Sequence, residues 1–589
     1  MINKNSPAFF RLMLCILSAS ALFGCSKDRN NEANRDASLV VRVSGLEDYV
    51  VANTKINLQA KHESRPPVTT NSPMNNLLGV KHSLSDDGKE HEIQLLKDFD
   101  VDFEIVKTHP ASAGTDHTQK GDDAPRLSAQ RSLIARQPLD GGVRYRLLIY
   151  RENETEPIVN TEATGSTFPD VGIASGFNYT WVAVSTNETT SSPNVSNNVV
   201  AAADIANKDF LYASGTLFTQ TGQNYLNIVF KRYTSQIQLT VDSRGMFGNI
   251  AANSTISFVI NGGETLSETA DFNVRDSSFS NFQPVALSSN NMTNTDPALR
   301  VGTIYTVRPR AVAAGSLQLR LNPLLLTLDD GSTRTFADNS ISFGSGFSPV
   351  RGSSYAISAR LIESGIRVGS SPVRWARSNL TYAATAAEGF RYRFRPHPVN
   401  YIFDPNVDLW NFGTSMPNIP FDGVDPCQQV YPAGTWRLPS YIEVASDLGP
   451  PSSIQGYNLP GTGGLGIVAN WDRSTSQPAN SAYPDMDQVR LAFYGFRTTN
   501  GILQQQPTMS GTQLNGQGHY SSYNYDDQTN ANTNTTVRRP VYLRMNYAGP
   551  NLSGSTNNLS NFSRALGGLN PDTSSVLNEG RSIRCVRFN

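Results

Sequence analysis

Gly461, Gly463 and Gly466 reproduce the G-x-G-x-x-G spacing by which a tight turn brings backbone N–H groups onto a dinucleotide pyrophosphate. That chemistry needs a strand before the turn, a helix after it and a ribose-binding acid about 20 residues on. Here the glycines follow Pro460 in a loop with no βαβ pattern around them, so no cofactor is expected. No HExxH, GxSxG or phosphate-loop spacing occurs, and the chain is read as a non-enzyme. The seven histidines are scattered, and neither His397 nor His519 has a partner at metal-ligand spacing. Asp425, Asp472, Asp526 and Asp527 lack the order of a calcium loop and read as turn carboxylates, so no metal is expected. What remains suits recognition. Tyr520, Tyr523 and Tyr525 lie in a Ser-, Asn- and Asp-rich run from His519 to Asn534, a composition fitted to holding a sugar or a protein face. They are the candidate ligand-binding residues, with a plain flexible loop as the alternative.

The elements that position these groups begin with an export signal. Lys4 and Arg11 precede an apolar run, Leu12 to Phe23, too short for the roughly 20 residues of a membrane span. Leu22-Phe23-Gly24-Cys25 follows and resembles the lipobox of bacterial lipoproteins. The resemblance implies cleavage after a signal peptide of residues 1–24 and diacylglycerol on the Cys25 thiol, an anchor in the outer membrane. Residues 25–37 read as a polar tether, whose Lys27-Asp28 resembles the surface-export signal of Bacteroidetes lipoproteins. Cys15 leaves with the signal, so Cys427 and Cys585 are the pair left in the mature chain. In an oxidising compartment they are expected to form a disulfide, with two free buried thiols as the alternative.

At 589 residues the chain exceeds one core, and about three domains are expected. A net charge of −1 with 17% charged residues offers no basic footprint for nucleic acid. Abundant Gly, Pro, Ser, Thr and Asn punctuate short β-branched and aromatic segments, the texture of a mainly β protein. A first block, 38–203, opens on Leu39 to Val43 and carries strands at Val143 to Tyr150 and Tyr179 to Val184. Between them, about 108–137 reads as an exposed polar loop in which Arg126, Arg131 and Arg136 are candidate sites for a trypsin-like protease; Arg42, inside the first strand, is a further one. In a second block, 204–367, Leu226/Ile228/Phe230, Ile237/Leu239/Val241, Leu317/Leu319/Leu321 and Tyr355/Ile357/Ala359/Leu361 recur at period two, as in half-buried antiparallel strands. The last block, 368–589, holds four of the five tryptophans and both remaining cysteines; Trp375 and Trp436 are expected in the core, with Arg437 in an ion pair or on an aromatic face.

The first two blocks resemble the fimbrillin family of Bacteroidetes. The resemblance rests on Gly142 to Tyr150, on Phe177 to Val182, and on Asp209-Phe210-Leu211-Tyr212-Ala213 followed by Ile228 to Arg232 and Ser235-Gln236-Ile237. It implies two tandem transthyretin-like β-sandwiches, and assembly with other fimbrillin subunits by strand exchange after a protease removes a first strand. The last block resembles a C-terminal domain of Bacteroidetes and Fibrobacter surface proteins. Its pieces are Val373 to Leu380, Asp425-Pro426-Cys427, Gly434 to Ser440 with Glu443, and Ser582 to Arg587. Trp436 to Ser440 with Glu443, and Arg584 to Arg587, are also similar to the formylglycine-generating-enzyme branch of the C-type-lectin-like fold, which implies a disulfide-linked, loop-rich α+β domain. That enzyme's redox cysteines have no counterpart beyond the structural pair, so binding is expected of it and not oxidation.

The expected protein is therefore a surface-exposed lipoprotein of the fimbrium. It is read as a tip adhesin because a chain closing on Cys585 can accept a strand but has none to donate. Its ligand is a glycan or a protein. The alternatives are a stand-alone outer-membrane receptor, a pilus anchor subunit, and, from the enzyme class, a surface hydrolase or oxidase.

Overall fold

The computed structural model describes residues 36–47, 81–84, 90–108 except 97, 136–167 and most of 169–588, with breaks at 288–291, 531–534, 553–558, 568–576 and single positions. Cys25, the signal segment, Arg126 and Arg131 lie outside the described residues. Strands dominate, and the helices are single turns such as Pro405–Asp408 and Pro426–Gln429. No described helix is long and apolar enough to cross a membrane.

The first large sheet has eight strands. In spatial order they are Arg136–Gln137, Ala37–Glu47, Gly222–Arg232, Leu211–Phe218, Asn178–Ser185, Arg144–Arg151 and Val159–Thr164, with Asp170–Ile173 also on Ala37–Glu47. The chain passes from Val159–Thr164 at one margin to Asp170–Ile173 near the other, so the sheet curls around its own core. Tyr145, Leu147 and Ile149 face that core with Leu39, Val41 and Phe230. Leu148, Tyr150, Val182 and Val184 point to the opposite face, against Phe272 of a smaller four-stranded sheet. Burial on both faces explains why Leu147 to Tyr150 is continuously apolar and not alternating.

The second large sheet runs Thr293–Asp296, Leu299–Thr306, Ser235–Gly245, Ser354–Glu363, Phe99–Thr108, Glu90–Leu95, Lys81–Leu84. Two three-stranded sheets face it, one built on Leu317–Leu321 and one on Leu324–Leu328, and their inward residues form a single core with Ile237, Leu239 and Val241. All four period-two sets are buried as their alternation requires.

The strands do not sort along the expected boundary at 203/204. Leu211–Phe218 and Gly222–Arg232 belong to the first sheet, whereas Phe99–Thr108 pairs with Ser354–Glu363 of the second over ten positions. Alternation reports which face of a strand is buried and is silent on which distant strand it pairs with.

The last block is closed on itself. Val373–Trp375 pairs antiparallel with Val586–Phe588, and Cys427 is bonded to Cys585, 158 residues away. Trp375, Trp410, Trp436 and Trp471 are all buried. Gly461 and Gly463 take positive φ in the turn of a hairpin between Ser453–Asn458 and Leu465–Asp472, so the glycine spacing serves a β-turn and has no helix to open.

Candidate functional site

Two places carry the functional expectations, beginning with the first strand. In Ala37–Glu47 the residues Ala37, Leu39 and Val41 face the core; a bulge between Val43 and Gly45, where Gly45 takes φ 124°, restores Leu46 to the same side. The strand runs parallel to Gly222–Arg232 over ten positions. On its other flank, among the described residues, only Asp170–Ile173 and Arg136–Gln137 touch it, over four and two positions. Its removal would bare one edge of Gly222–Arg232 above an apolar trough formed by Tyr145, Leu226, Ile228 and Phe230. Burying Leu39, Val41 and Leu46 contributes about 5–9 kcal/mol to holding it there. An incoming strand with the same alternation would recover that energy, the condition for exchange. Arg42 sits within this ladder with its guanidinium 5.4 Å from the Tyr225 ring. Arg136 is itself in a strand, opposite Glu47, and not in an open loop.

The next N-terminal segment is held differently. Phe99, Val101, Phe103 and Ile105 enter the second core. Asp100 accepts from the Leu96 N–H and forms a buried ion pair with Arg587 of the last block. Burial brings the Arg587 guanidinium down to about 9. The Asp98 carbonyl accepts from Asn480 (3.0 Å) and Ser364 (3.1 Å), and Arg360 pairs with Asp102 (2.8 Å) and Glu104 (3.2 Å). Phe99–Thr108 is thus shared by the second sandwich and the last block.

The second place is the surface around the expected tyrosines. Tyr520 does not belong to it: the side chain is 2% exposed and its hydroxyl donates to the Ala492 carbonyl at 3.0 Å. Its strand packs on the hydrophobic core of the last block, which composition alone could not show. The ladder with Thr535–Pro550 is then interrupted between Ser521 and Tyr525, which turns Tyr523 (51% exposed) and Tyr525 (46%) outward.

Tyr523 borders a cleft of about 520 Å³ together with Gln428, Asp425, Arg437, Glu443 and Phe588. Arg437 donates to both oxygens of Glu443 (2.6 and 2.9 Å), and Ser440 N–H donates to the same carboxylate at 2.7 Å. Burial disfavours the Glu443 anion, yet these donors hold its carboxyl below the ordinary range. Asp425 accepts from Leu438 N–H (2.8 Å) and Cys427 N–H (2.9 Å); burial outweighs them and raises its pKa. Arg437 also lies 4.3 Å from the Phe588 ring, so both expectations for it hold. Gln428 and Phe588 carried no signal in the sequence, since their exposure depends on where the disulfide and the Val586–Phe588 strand fold back. Among the described residues no group of three or more potential metal ligands occurs.

The fimbrillin-like family matches residues 163–374, a stretch that supplies strands to both large sheets but leaves out Ala37–Glu47, Phe99–Thr108 and Arg144–Arg151. No curated protein matches the chain. Solved structures similar to it include a candidate cell adhesion protein of Bacteroides fragilis, at 12% identity and TM-score 0.27, covering 41% of this chain and 88% of that one. Another is a fimbrial assembly protein of Parabacteroides distasonis, at 10% identity and TM-score 0.21, covering 36% and 82%. The motifs quoted from Phe177 to Ile237 fall inside the stretch that is similar to the fimbrillin-like family.

Proposed function

We propose that this protein is a fimbrial subunit of tip-adhesin type, exported as a lipoprotein through Cys25, displayed at the cell surface and assembled by β-strand exchange. In this reading the first two regions are transthyretin-like β-sandwiches, the last is a C-type-lectin-like binding domain, and no catalysis is involved. One observation carries it: Ala37–Glu47 fills an apolar trough, with one long parallel partner and, among the described residues, only short segments on its other flank, as suits a replaceable strand. Val586–Phe588 is committed to its own sheet and Arg587 to Asp100, so this strand is not the one that is exchanged.

A pilus anchor is the second reading, and Phe99–Thr108 favours it. A cut at Arg126, Arg131 or Arg136 would leave that strand, and everything N-terminal to it, attached to the body.

Mass spectrometry of pili sheared from the native cells tests both. A tip subunit is found on the pili with a new N-terminus beyond residue 47 and no lipidated peptide. An anchor is found in the membrane with its Cys25 peptide still acylated. A chain absent from pili, and unable to take up a synthetic strand peptide, is a stand-alone receptor.

A further inference from the structure

The cleft beside the disulfide combines open aromatic faces with polar groups already neutralised among themselves. Phe588 is 64% exposed and Tyr523 51%, large values for aromatic rings that line a concave surface. The Arg437 charge is met by Glu443 at the floor of the cleft. The Gln428 carboxamide, exposed at the rim, makes no hydrogen bond within the described residues and is left to serve a ligand as donor and acceptor. A volume of about 520 Å³ lies within the range of small-molecule sites.

These features discriminate among ligand chemistries. An extended peptide would need a free strand edge. Among the described residues the strand at the cleft, Val586–Phe588, does not offer one at Val586, which exchanges both backbone hydrogen bonds with Arg437 (2.9 Å each), nor on its other side, where it is paired with Val373–Trp375. An anionic group would need an uncommitted cation, and Arg437 is spent on Glu443 while Asp425 adds a carboxyl. A neutral sugar presents an apolar C–H face for Tyr523 or Phe588 and hydroxyls for Gln428 and for the outer lone pairs of the carboxylates.

We propose that this cleft, with Tyr523 as its stacking platform and Gln428 as its hydrogen-bonding group, binds a neutral saccharide. The inference rests on the adhesin reading and names the ligand class of its last domain. It is tested by applying the mature full-length chain to an array of neutral, sialylated and sulfated oligosaccharides. Retention on neutral members is expected, with at least a tenfold loss in Tyr523→Ala, a several-fold loss in Gln428→Ala and little change in Tyr523→Phe. Melting temperatures should be unchanged, since both residues are exposed. Binding confined to acidic glycans, binding unaffected by Tyr523→Ala, or no retention at all overturns the proposal. Pilus incorporation of Tyr523→Ala, scored in parallel in sheared fibres, separates the two claims. A variant chain that incorporates normally beside a wild type that binds no sugar sinks the cleft and leaves the fimbrial reading intact.

Discussion

Replacing Asp100 by Asn should convert a chain that survives nicking in one piece into one that falls apart. Asp100 is fully buried and its partner Arg587 nearly so. Removing one member of such a pair leaves an uncompensated buried charge, at a cost of about 3–5 kcal/mol. For a urea slope of about 2–3 kcal/mol per M, the unfolding midpoint of the intact chain should fall by about 1–2.5 M. The nicked chain gives the sharper readout. After limited trypsin digestion in the 109–135 segment, the N-terminal fragment is held by Ala37–Glu47 in the first sheet, by Phe99, Val101, Phe103 and Ile105 in the second core, and by the ten-position pairing with Ser354–Glu363. In wild type both fragments should co-elute on size exclusion under native conditions and separate only in denaturant. In Asp100→Asn the same loss corresponds to a rise of about two to four decades in the dissociation constant, and the small fragment should elute alone at micromolar protein. The double variant Asp100→Asn/Arg587→Met removes both charges and should recover most of the binding. A wild-type fragment that elutes free without denaturant would refute the reasoning, because Phe99–Thr108 would then not be integral to the body.

Three further outcomes are expected. Leu39→Ala should cost about 2–5 kcal/mol in the first sandwich and speed the uptake of a labelled peptide copying residues 37–47, read by fluorescence anisotropy. Burial, followed by the nearby charges of Arg581 and Arg544, lowers the His519 pKa from 6.5 to about 3, so between those values the unfolded chain binds a proton that the folded chain does not. Stability is therefore lost as pH falls through that window, by about 3 kcal/mol at pH 4. His519→Phe keeps the ring between Phe496 and Tyr542 and should flatten this loss in denaturation curves taken from pH 7 to 4. Reducing Cys427–Cys585 should destabilise the last block by up to about 5 kcal/mol from loop closure alone, seen as a lower melting temperature in dithiothreitol.

Local periodicity made much of this fold legible. Ile237/Leu239/Val241 and Tyr355/Ile357/Ala359/Leu361 show their buried face in the sequence because each strand is wetted on one side only. The short stretch before residue 109 was harder to assign. Phe99, Val101, Phe103 and Ile105 alternate with Asp100, Asp102 and Glu104, but alternation is common to every half-buried strand, and the partner lies more than 240 residues away. The tyrosine run was legible as surface chemistry but not in its particulars. Tyr520 and Tyr523 stand in the same polar context, and only the interruption of the ladder after Ser521 sends one inward and the other out. Gln428 needed the disulfide partner, and Phe588 the strand pairing, before either could be placed at a cleft.

Under the proposed strand exchange, the path of the N-terminal region limits where a maturing protease could cut. One stretch of chain supplies Ala37–Glu47 to the first sandwich and Phe99–Thr108 to the second, and the two contributions are not equivalent. The first touches its sheet through one long ladder, two short ones with Asp170–Ile173 and Arg136–Gln137, and a single row of apolar residues. The second is flanked by Ser354–Glu363 and Glu90–Leu95 on its two sides and is tied by Asp100 and Asp98 to the last block. A protease that is to vacate the acceptor trough without dismantling the second sandwich must therefore cut between them, after residue 47 and before residue 81. Cuts at Arg126, Arg131 or Arg136 serve a different end, since they leave the first strand tethered through Phe99–Thr108. N-terminal sequencing of the pilus-borne chain distinguishes the two. A start within 48–80 marks strand release, and a start within 127–137 together with a retained N-terminal fragment marks an anchored, unexchanged subunit.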